Sequence, residues 1–270
     1  MKSQPASVLD VLRAQSPLIH HITNAVTIND CANITLALGG SPVMADSPDE
    51  AADMVNFAGA LVLNMGTLHQ RSVDAMQAAG LKARELSKPV VFDPVGAGAT
   101  AFRRETALKL VKTVHPTIIK GNAAEIKFLA GESSRQRGVD SLDADALTAA
   151  VMLARSSGAV VAATGVEDLI TDGKVLYRIK GGTPLLGRIT GTGCMTASLV
   201  GCFASVEQDC LKAAVLGILA MNIVGEKAEK ALLPGQGTGH FRINLFDAVS
   251  LLTSQDLPWD ERVTCENLGF

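Results

Sequence analysis

The chain has few aromatic residues and no excess of positive charge. Aromatic residues make up 4% of its 270 residues, with one Trp and one Tyr, and the formal net charge is −3. Nucleic-acid-binding surfaces combine basic residues with aromatic side chains on which bases stack. We therefore expect no nucleic-acid partner. The 47% hydrophobic fraction is then mainly aliphatic, as is typical of helices that pack closely on a parallel sheet.

The cysteines lack the spacing of a metal site or of a disulfide framework. Their number is odd and no CxxC pair occurs: Cys31, Cys194, Cys202, Cys210 and Cys265. A reducing compartment is the simplest interpretation of such cysteines. Cys202 and Cys210 are expected to pack in the core.

No stretch of the sequence predicts export or membrane insertion. The first 18 residues carry Lys2, Asp10 and Arg13 and have no apolar signal-peptide core. The longest apolar run, residues 213–224, is shorter than the roughly 20 residues that a membrane helix needs. We therefore expect a cytoplasmic protein that has no membrane partner.

Strand and helix patterns alternate along most of the chain. Apolar strands are predicted over residues 18–22, 42–45, 60–64, 89–93, 117–120 and 159–164, with helices over 6–15, 29–38, 46–57, 70–86, 103–114, 123–129 and 143–156. This order predicts an α/β fold with three α-β-α layers, in which a mostly parallel central sheet is covered by helices on both faces. We expect one domain that spans residues 1–270.

Three further features complete this outline. Residues 131–144 are polar and charged and predict a surface loop, whereas residues 169–180, with Asp172 and Gly173 at the centre, predict an antiparallel hairpin at the sheet edge. Apolar helices are expected over 194–206 and 211–232, followed by a glycine-rich loop at 234–239 and a last helix from about residue 244.

Glycines and hydroxyls precede an apolar helix at residues 187–198. The backbone N–H groups of a helix's first turn have no intrahelical partner, and the helix dipole adds about half a positive charge there. The amides of Gly191, Thr192, Gly193 and Cys194 therefore predict a phosphate site. The sequence contains no GxxxxGK[ST] motif, so this site differs from the Walker type.

Polar residues follow the predicted strands at residues 64–67, 93–98, 120–125 and 164–165. The carboxyl ends of parallel strands meet at one edge of a sheet, where ligands bind. Carboxylates such as Asp93 and Glu125 suit Mg²⁺ that is held mainly by phosphates and water. Lys120 can neutralise phosphate charge. Each residue also has an ordinary alternative: a surface position for Lys120, a strand terminator for Asp93, and a helix cap for Asn122.

Cys194 allows two further hypotheses. The pKa of a thiol at a helix N-terminus tends to fall, which favours a nucleophile, so a Cys-dependent hydrolase with His20 or His21 is conceivable. The two histidines are neighbours on a strand and point to opposite faces, so at most one of them reaches a cavity. The second is the ordinary alternative, in which Cys194 is a small, half-buried residue that only packs. A nucleotide-binding subunit without catalysis is a separate hypothesis for the whole chain.

Seven short motifs, taken together and in order, closely resemble the hydroxyethylthiazole kinases of thiamine salvage, which belong to the ribokinase-like superfamily. They are residues 22–24 (ITN), 41–45 (SPVMA), 61–67 (LVLNMGT), 93–98 (DPVGAG), 120–125 (KGNAAE), 163–165 (ATG) and 190–194 (TGTGC). The resemblance spans nearly the whole chain. It implies a ribokinase-like fold and the Mg²⁺- and ATP-dependent phosphorylation of the primary hydroxyl of 4-methyl-5-(2-hydroxyethyl)thiazole.

The resemblance also implies roles for particular residues. Met44 and Gly193 look like thiazole contacts with Asn24 nearby. Lys120, Asn122 and Thr164 look like ATP-binding residues, and Asp93 and Glu125 look like the metal-facing acids. Relatives are similar in forming homotrimers with active sites between subunits, in which a neighbour lends Gly66 and Thr67. Lys120 stands where relatives often have Arg, so a bidentate phosphate contact becomes a point charge.

Position 194 separates this resemblance from its rivals within the superfamily. A hydroxymethylpyrimidine kinase or an ATP-dependent nicotinamide-hydrate dehydratase is expected to carry Asp there as the base. Here Cys194 either polarises or orients the acceptor hydroxyl, and the amides of residues 191–194 are expected to stabilise the transferred phosphoryl group.

Overall fold

The computed structural model describes residues 5–131 and 142–269, in which strands and helices alternate. The strands are β1 (Leu18–Ile22), β2 (Ser41–Val43), β3 (Ala60–Asn64), β4 (Val90–Asp93), β5 (Ile118–Asn122), β6 (Val160–Thr164), β7 (Glu167–Thr171), β8 (Val175–Lys180) and β9 (Val263–Asn267). The helices are α1 (Pro5–Gln15), α2 (Ile28–Leu38), α3 (Ala51–Met54), α4 (Gln70–Glu85), α5 (Ala101–Val114), α6 (Ala123–Leu129), α7 (Leu142–Ser157), α8 (Thr192–Ala204), α9 (Cys210–Lys230), α10 (Thr238–Ser250) and α11 (Trp259–Arg262). Two short 3₁₀ helices cover Pro184–Arg188 and Ser254–Asp256.

All nine of these strands belong to one sheet, in the order β2-β1-β3-β4-β5-β6-β7-β8-β9. The pairs from β2 to β6 are parallel, and the pairs β6-β7, β7-β8 and β8-β9 are antiparallel. The predicted mostly parallel sheet is confirmed. Its parallel part brings the carboxyl ends of six strands to one edge.

The sheet is the middle of three layers. Successive side chains of a strand point to opposite faces, so Val62 packs in a core with α1, α2, α8, α9 and α10, whereas its neighbours Leu61 and Leu63 pack in a second core with α4, α5 and α7. Helices therefore bury both faces of the sheet, which confirms the predicted three-layer α/β architecture.

Two glycines set the position of α8. A Cβ on Gly201 would lie 2.6 Å from Val62 Cγ2 in the sheet, and a Cβ on Gly217 of α9 would lie 2.6 Å from Val200 Cα. Neither site has space for a side chain, so α8 approaches both the sheet and α9 at backbone distance. This packing holds the first turn of α8 at the carboxyl edge of the sheet.

The segment that follows β2 differs from the prediction. The strand ends at Val43 instead of residue 45, and the helix expected over 46–57 is only the turn α3, Ala51–Met54. The N–H groups of Asn56, Phe57 and Ala58 bond to carbonyls three residues earlier, which is 3₁₀ geometry. The chain therefore reaches β3 through tight turns instead of a regular α-helix.

The C-terminal part also differs from the prediction. The last long helix, α10, begins at Thr238 instead of residue 244, and β9, which the sequence did not predict, pairs with β8. The predicted hairpin is present as β7 and β8. It does not form the edge of the sheet, because β9 lies outside it. β9 was missed because four of its five side chains are exposed and show no apolar alternation. Most of the predicted loop at 131–144 lies outside the described residues.

Candidate active site

Two adjoining cavities open at the carboxyl edge of the parallel strands, beside the first turn of α8. The larger has a volume of about 610 Å³ and the smaller about 400 Å³. Three residues line both cavities: Lys120, Thr164 and Gly193. A ligand in one cavity would therefore lie next to a ligand in the other.

Most of the predicted site residues line these cavities. The smaller cavity is lined by Asn24, Gly66, Thr67, Asp93, Lys120, Asn122, Glu125, Thr164, Gly191, Gly193 and Cys194, whereas Thr192 lines the larger. Met44 lines neither of them, and it is a half-buried residue that follows the edge strand β2. The strand ends therefore meet at the glycine motif, as predicted. Met44 is the one predicted site residue that lies outside these two cavities.

Gly66 and Thr67 line the smaller cavity of their own chain. β1 and β3 are hydrogen-bonded neighbours, so the segments that follow them meet. Thr67 Oγ1 accepts a 2.8 Å hydrogen bond from the Ala25 N–H. A Cβ on Gly66 would lie 2.6 Å from the Asn24 side chain, so only glycine allows this approach.

Lys120 is a buried cation on the wall between the two cavities. Its side chain extends from β5 and is about 5% exposed. Its Nζ donates a 3.0 Å hydrogen bond to the Gly193 carbonyl and lies 3.9 Å from Asp93 Oδ2. A buried charge is tolerated only with partners, and both partners of Lys120 belong to the site. The ordinary alternative of a surface lysine is therefore excluded.

Asp93 is a buried acid at the end of β4. Its Oδ2 accepts a 2.8 Å hydrogen bond from Asn64 Nδ2. Burial raises the pKa of Asp93 to about 6, and the negative charge of Glu125 adds to this, while Lys120 and the Asn64 hydrogen bond act in the opposite direction. Additional positive charge beside Asp93 would favour its ionised form.

Glu125 and Asn122 form a reciprocal cap at the start of α6. Asn122 Oδ1 accepts from the Glu125 N–H at 3.0 Å, and Glu125 Oε2 accepts from the Asn122 N–H at 2.8 Å. Glu125 Oε1 accepts a third bond, also 2.8 Å, from the Gly96 N–H. Asn122 is therefore a helix cap, as its ordinary alternative held, and it also lines the smaller cavity. Each Glu125 oxygen retains a lone pair.

Cys194 lies in the first turn of α8. The preceding Gly191 has a backbone conformation that glycine adopts far more readily than other residues. Gly191 has a φ of +88°, and a Cβ there would lie 2.6 Å from Thr27 Cγ2. Asn24 Nδ2 donates to Cys194 Sγ at 3.3 Å and to Asn64 Oδ1 at 2.8 Å. The thiol therefore accepts a hydrogen bond and keeps its S–H group for another acceptor.

The histidines do not form a dyad with Cys194. His21 Nε2 lies 3.2 Å from Ser198 Oγ, and His20 Nε2 lies 2.7 Å from the Ala45 carbonyl. In the described part of the chain, neither ring hydrogen-bonds to Cys194, and neither lines a cavity. A Cys-dependent hydrolase requires a base in contact with the thiol, so the geometry does not support that hypothesis.

His21 makes the stability of the protein pH-dependent. Burial lowers its pKa from 6.5 to about 4, so the folded state binds the proton less well than the unfolded chain. The stability that the neutral, buried His21 provides is complete above pH 6.5 and is lost as the pH falls toward 4. Between about pH 8 and pH 5 we expect His21 to remove about 2 kcal/mol from the free energy of unfolding.

Urea unfolding of the His21→Gln variant at both pH values measures this contribution. The pH-dependent loss should be smaller than in the unchanged chain by about 2 kcal/mol. The exposed His240 supplies the control, since His240→Gln should leave the loss unaltered. Equal losses in all three proteins would show that His21 titrates normally in the folded state.

Sequence reasoning missed two residues of the site. Asn64 connects Asn24 to Asp93 through its side chain, and it stands in a strand-end motif that gave a signal. Asp168 lines the larger cavity, where Asn222 Nδ2 donates to it at 2.7 Å and the Gly165 N–H at 3.1 Å. Burial raises the pKa of Asp168. It lies inside the antiparallel strand β7, so no strand-end signal marks it.

The residues that the structure describes, 5–131 and 142–269, lack two other features. No group of three or more His, Cys, Asp and Glu side chains that could hold a metal ion occurs among them. In the same ranges, no helix combines the length and apolar character that crossing a membrane requires.

Comparisons with known proteins identify the family of the chain. The model of the hydroxyethylthiazole kinase family matches residues 9–255. The hydroxyethylthiazole kinase of Clostridium beijerinckii is 48% identical to the chain, and the match covers 92% of each protein. That of Alkaliphilus oremlandii is 46% identical, and the match covers 95% of this chain and 96% of the relative. The solved structure of a hydroxyethylthiazole kinase protein from Pyrococcus horikoshii has a TM-score of 0.86 at 36% identity, covering 98% of this chain and 99% of its own.

A more distant likeness concerns the fold alone. A pyridoxal kinase from Staphylococcus aureus, solved with AMP-PCP and pyridoxal, has a TM-score of 0.62 at 12% identity over 93% of this chain and 99% of its own. The fold is thus ribokinase-like, and the chain is a kinase that belongs to the hydroxyethylthiazole kinase family.

Proposed function

We propose that the protein transfers the γ-phosphate of ATP, with Mg²⁺, to the primary hydroxyl of 4-methyl-5-(2-hydroxyethyl)thiazole, giving the thiazole phosphate for thiamine biosynthesis and salvage. The observation that carries this proposal is the pair of cavities that meet at Lys120 and Gly193. Phosphoryl transfer needs a donor and an acceptor side by side at a site of positive potential. The wall between the cavities supplies that potential through a buried ammonium and the first turn of α8.

The larger cavity is assigned to the nucleotide and the smaller one to the thiazole. Lys120 and Thr164 line both and would contact the phosphates. Asn24, Gly66, Thr67 and Gly193 are assigned to the alcohol. Met44 is proposed as a thiazole contact from the family resemblance alone; it follows β2, the neighbour of the strand that leads to Asn24.

Asp93 and Glu125 suit a magnesium ion that is held mainly by other ligands. Both carboxylates line the smaller cavity, and each keeps a free lone pair beside the bonds described above. Since the described residues contain no larger acidic cluster, phosphate oxygens and water would complete the coordination. When bound, Mg²⁺ neutralises phosphate charge.

The residues of the chain position the reactants and stabilise charge. The acceptor oxygen forms a bond to the γ-phosphorus as the bond to the bridging oxygen breaks. ADP leaves with the electron pair of that bond, and the hydroxyl proton passes to solvent water. Lys120 and the first-turn amides of α8 stabilise the negative charge on the transferred group. Asn24 holds the Cys194 thiol in place, which supports an orienting role for Cys194 toward the hydroxyl.

Self-association as a homotrimer and a cytoplasmic location are part of the proposal. Val26 lines the smaller cavity, and 63% of its surface is exposed. The family resemblance is what supports the trimer. Sedimentation analysis measures the number of subunits directly.

A substrate panel tests the proposed activity. The protein is incubated with Mg-ATP and one alcohol at a time: the thiazole, hydroxymethylpyrimidine or pyridoxal, with a no-alcohol control. We expect ADP release to depend on the thiazole and mass spectrometry to find its phosphate. ADP release with the pyrimidine instead would favour the rival kinase, and none with any alcohol would favour a nucleotide-binding subunit.

A further inference from the structure

Arg103 lies behind the smaller cavity, where its guanidinium binds three backbone carbonyls. Its Nη1 donates to the Met65 carbonyl at 2.6 Å and to the Val95 carbonyl at 2.7 Å, and its Nη2 donates to the Gly66 carbonyl at 2.6 Å. Among the described residues, no carboxylate lies within ion-pair distance of Arg103. The cation is therefore engaged with backbone oxygens.

These carbonyls belong to two loops that are separate in sequence. Met65 and Gly66 follow β3, and Val95 follows β4. Three carbonyl dipoles that point to one place repel one another unless a donor lies between them. A planar guanidinium presents several N–H groups in a fixed fork and can satisfy all three, which the single ammonium of lysine does less well.

Both loops lead directly to groups of the site. Gly66 is packed against the Asn24 side chain, which donates to Cys194 Sγ. On the other side, the N–H of Gly96, the residue after Val95, donates to Glu125 Oε1. Arg103 thus contacts the backbone of Gly66 directly and is two contacts away from Asn24 and from the metal-facing acid Glu125.

We propose that Arg103 is a positioning residue that fixes the acceptor loop and the acid loop relative to each other. The inference rests on the proposed function, because it assigns the smaller cavity to the alcohol. The side chain touches neither reactant in this assignment. It acts through the backbone of residues 65–66 and 95–96, so its loss should misplace Asn24 and Glu125 while the larger cavity stays intact.

Kinetics of the Arg103→Ala variant test the catalytic consequence. We expect kcat to fall about 10- to 100-fold, because small misplacements of reacting groups have effects of that size. KM for ATP should change less than about threefold, since the nucleotide cavity is unaltered. Arg103→Lys should retain more activity than Arg103→Ala, and millimolar guanidinium should partly restore kcat to Arg103→Ala alone. The control is Arg84→Ala, an exposed arginine on α4 whose guanidinium donates to the Thr113 carbonyl.

Hydrogen exchange separates this inference from the proposed function. In Arg103→Ala, amides of residues 65–67 and 95–98 should exchange at least about 10-fold faster, while those of β3 and β4 keep their protection. Unchanged exchange, or a uniform rise throughout the sheet, would overturn the inference whatever the substrate is. An unchanged kcat beside an active unmodified enzyme would overturn it as well. An unmodified enzyme that does not phosphorylate the thiazole would overturn the proposed function instead, and the exchange result would still decide whether Arg103 fixes the loops.

Discussion

The Lys120→Met variant is expected to lose about 10²–10³-fold in kcat/KM for ATP, the effect typical of removing one stabilising donor from a reaction centre. The Lys120 ammonium is buried on the wall that both cavities share and binds the Gly193 carbonyl at the start of α8. Methionine preserves the length of the side chain and removes its charge. Steady-state kinetics with varied ATP at saturating thiazole measure the loss.

Two further variants separate charge from packing. Lys120→Arg keeps the charge and should recover at least about 10-fold of the activity that Lys120→Met loses. Lys109→Met removes an exposed lysine from α5 and should leave kcat/KM unaffected. A fully active Lys120→Met protein with an unaltered thermal midpoint would show that the phosphates bind elsewhere.

The Asp93→Asn variant is expected to lose about 10²–10³-fold in kcat and yet to be no less stable than the unchanged chain above pH 6. Asparagine retains the shape and a hydrogen-bonding oxygen for Asn64 but not the negative charge that would face Mg²⁺. The apparent affinity for Mg²⁺ should fall with kcat. Activity measured against magnesium concentration tests both effects.

The stability expectation follows from the pKa of Asp93. Because the folded pKa of about 6 lies above the ordinary value of 3.8, the stability that the protonated acid provides is complete below 3.8 and is lost as the pH rises through 6. Asparagine cannot ionise, so it avoids that loss. Urea unfolding at pH 8 should therefore give Asp93→Asn a midpoint equal to or above that of the surface control Asp74→Asn. A clearly lower midpoint would mean that the Lys120 ion pair outweighs the burial of Asp93.

The strand-end residues of the site were predictable because parallel strands all end at one edge of the sheet. Asp93 and Lys120 lie in the last residues of buried strands, Glu125 follows one, and Cys194 lies in the first turn of an apolar helix. Each position is visible in the sequence, and the structure brings all four to one cavity. Order and periodicity were sufficient because backbone geometry, and not side-chain detail, determines this convergence.

The features that the sequence did not predict depend on contacts between residues that are distant in sequence. Arg103 resembles any basic residue near the start of a helix, and only the folded chain shows that its guanidinium reaches the carbonyls of Met65, Gly66 and Val95. Asp168 lies within an antiparallel strand, and its partner Asn222 belongs to α9, which is distant in sequence. The mostly exposed β9 carries no hydrophobic period, so its pairing with β8 is a tertiary effect.

The common wall of the two cavities has a thermodynamic consequence. Lys120, Thr164 and Gly193 would contact whatever occupies either side, so a ligand that fixes them for one cavity changes the free energy of binding in the other. This coupling is reciprocal: the factor by which a nucleotide alters the affinity for the alcohol equals the factor by which the alcohol alters the affinity for the nucleotide. The dissociation constant of either ligand alone would therefore differ from its value in the ternary complex.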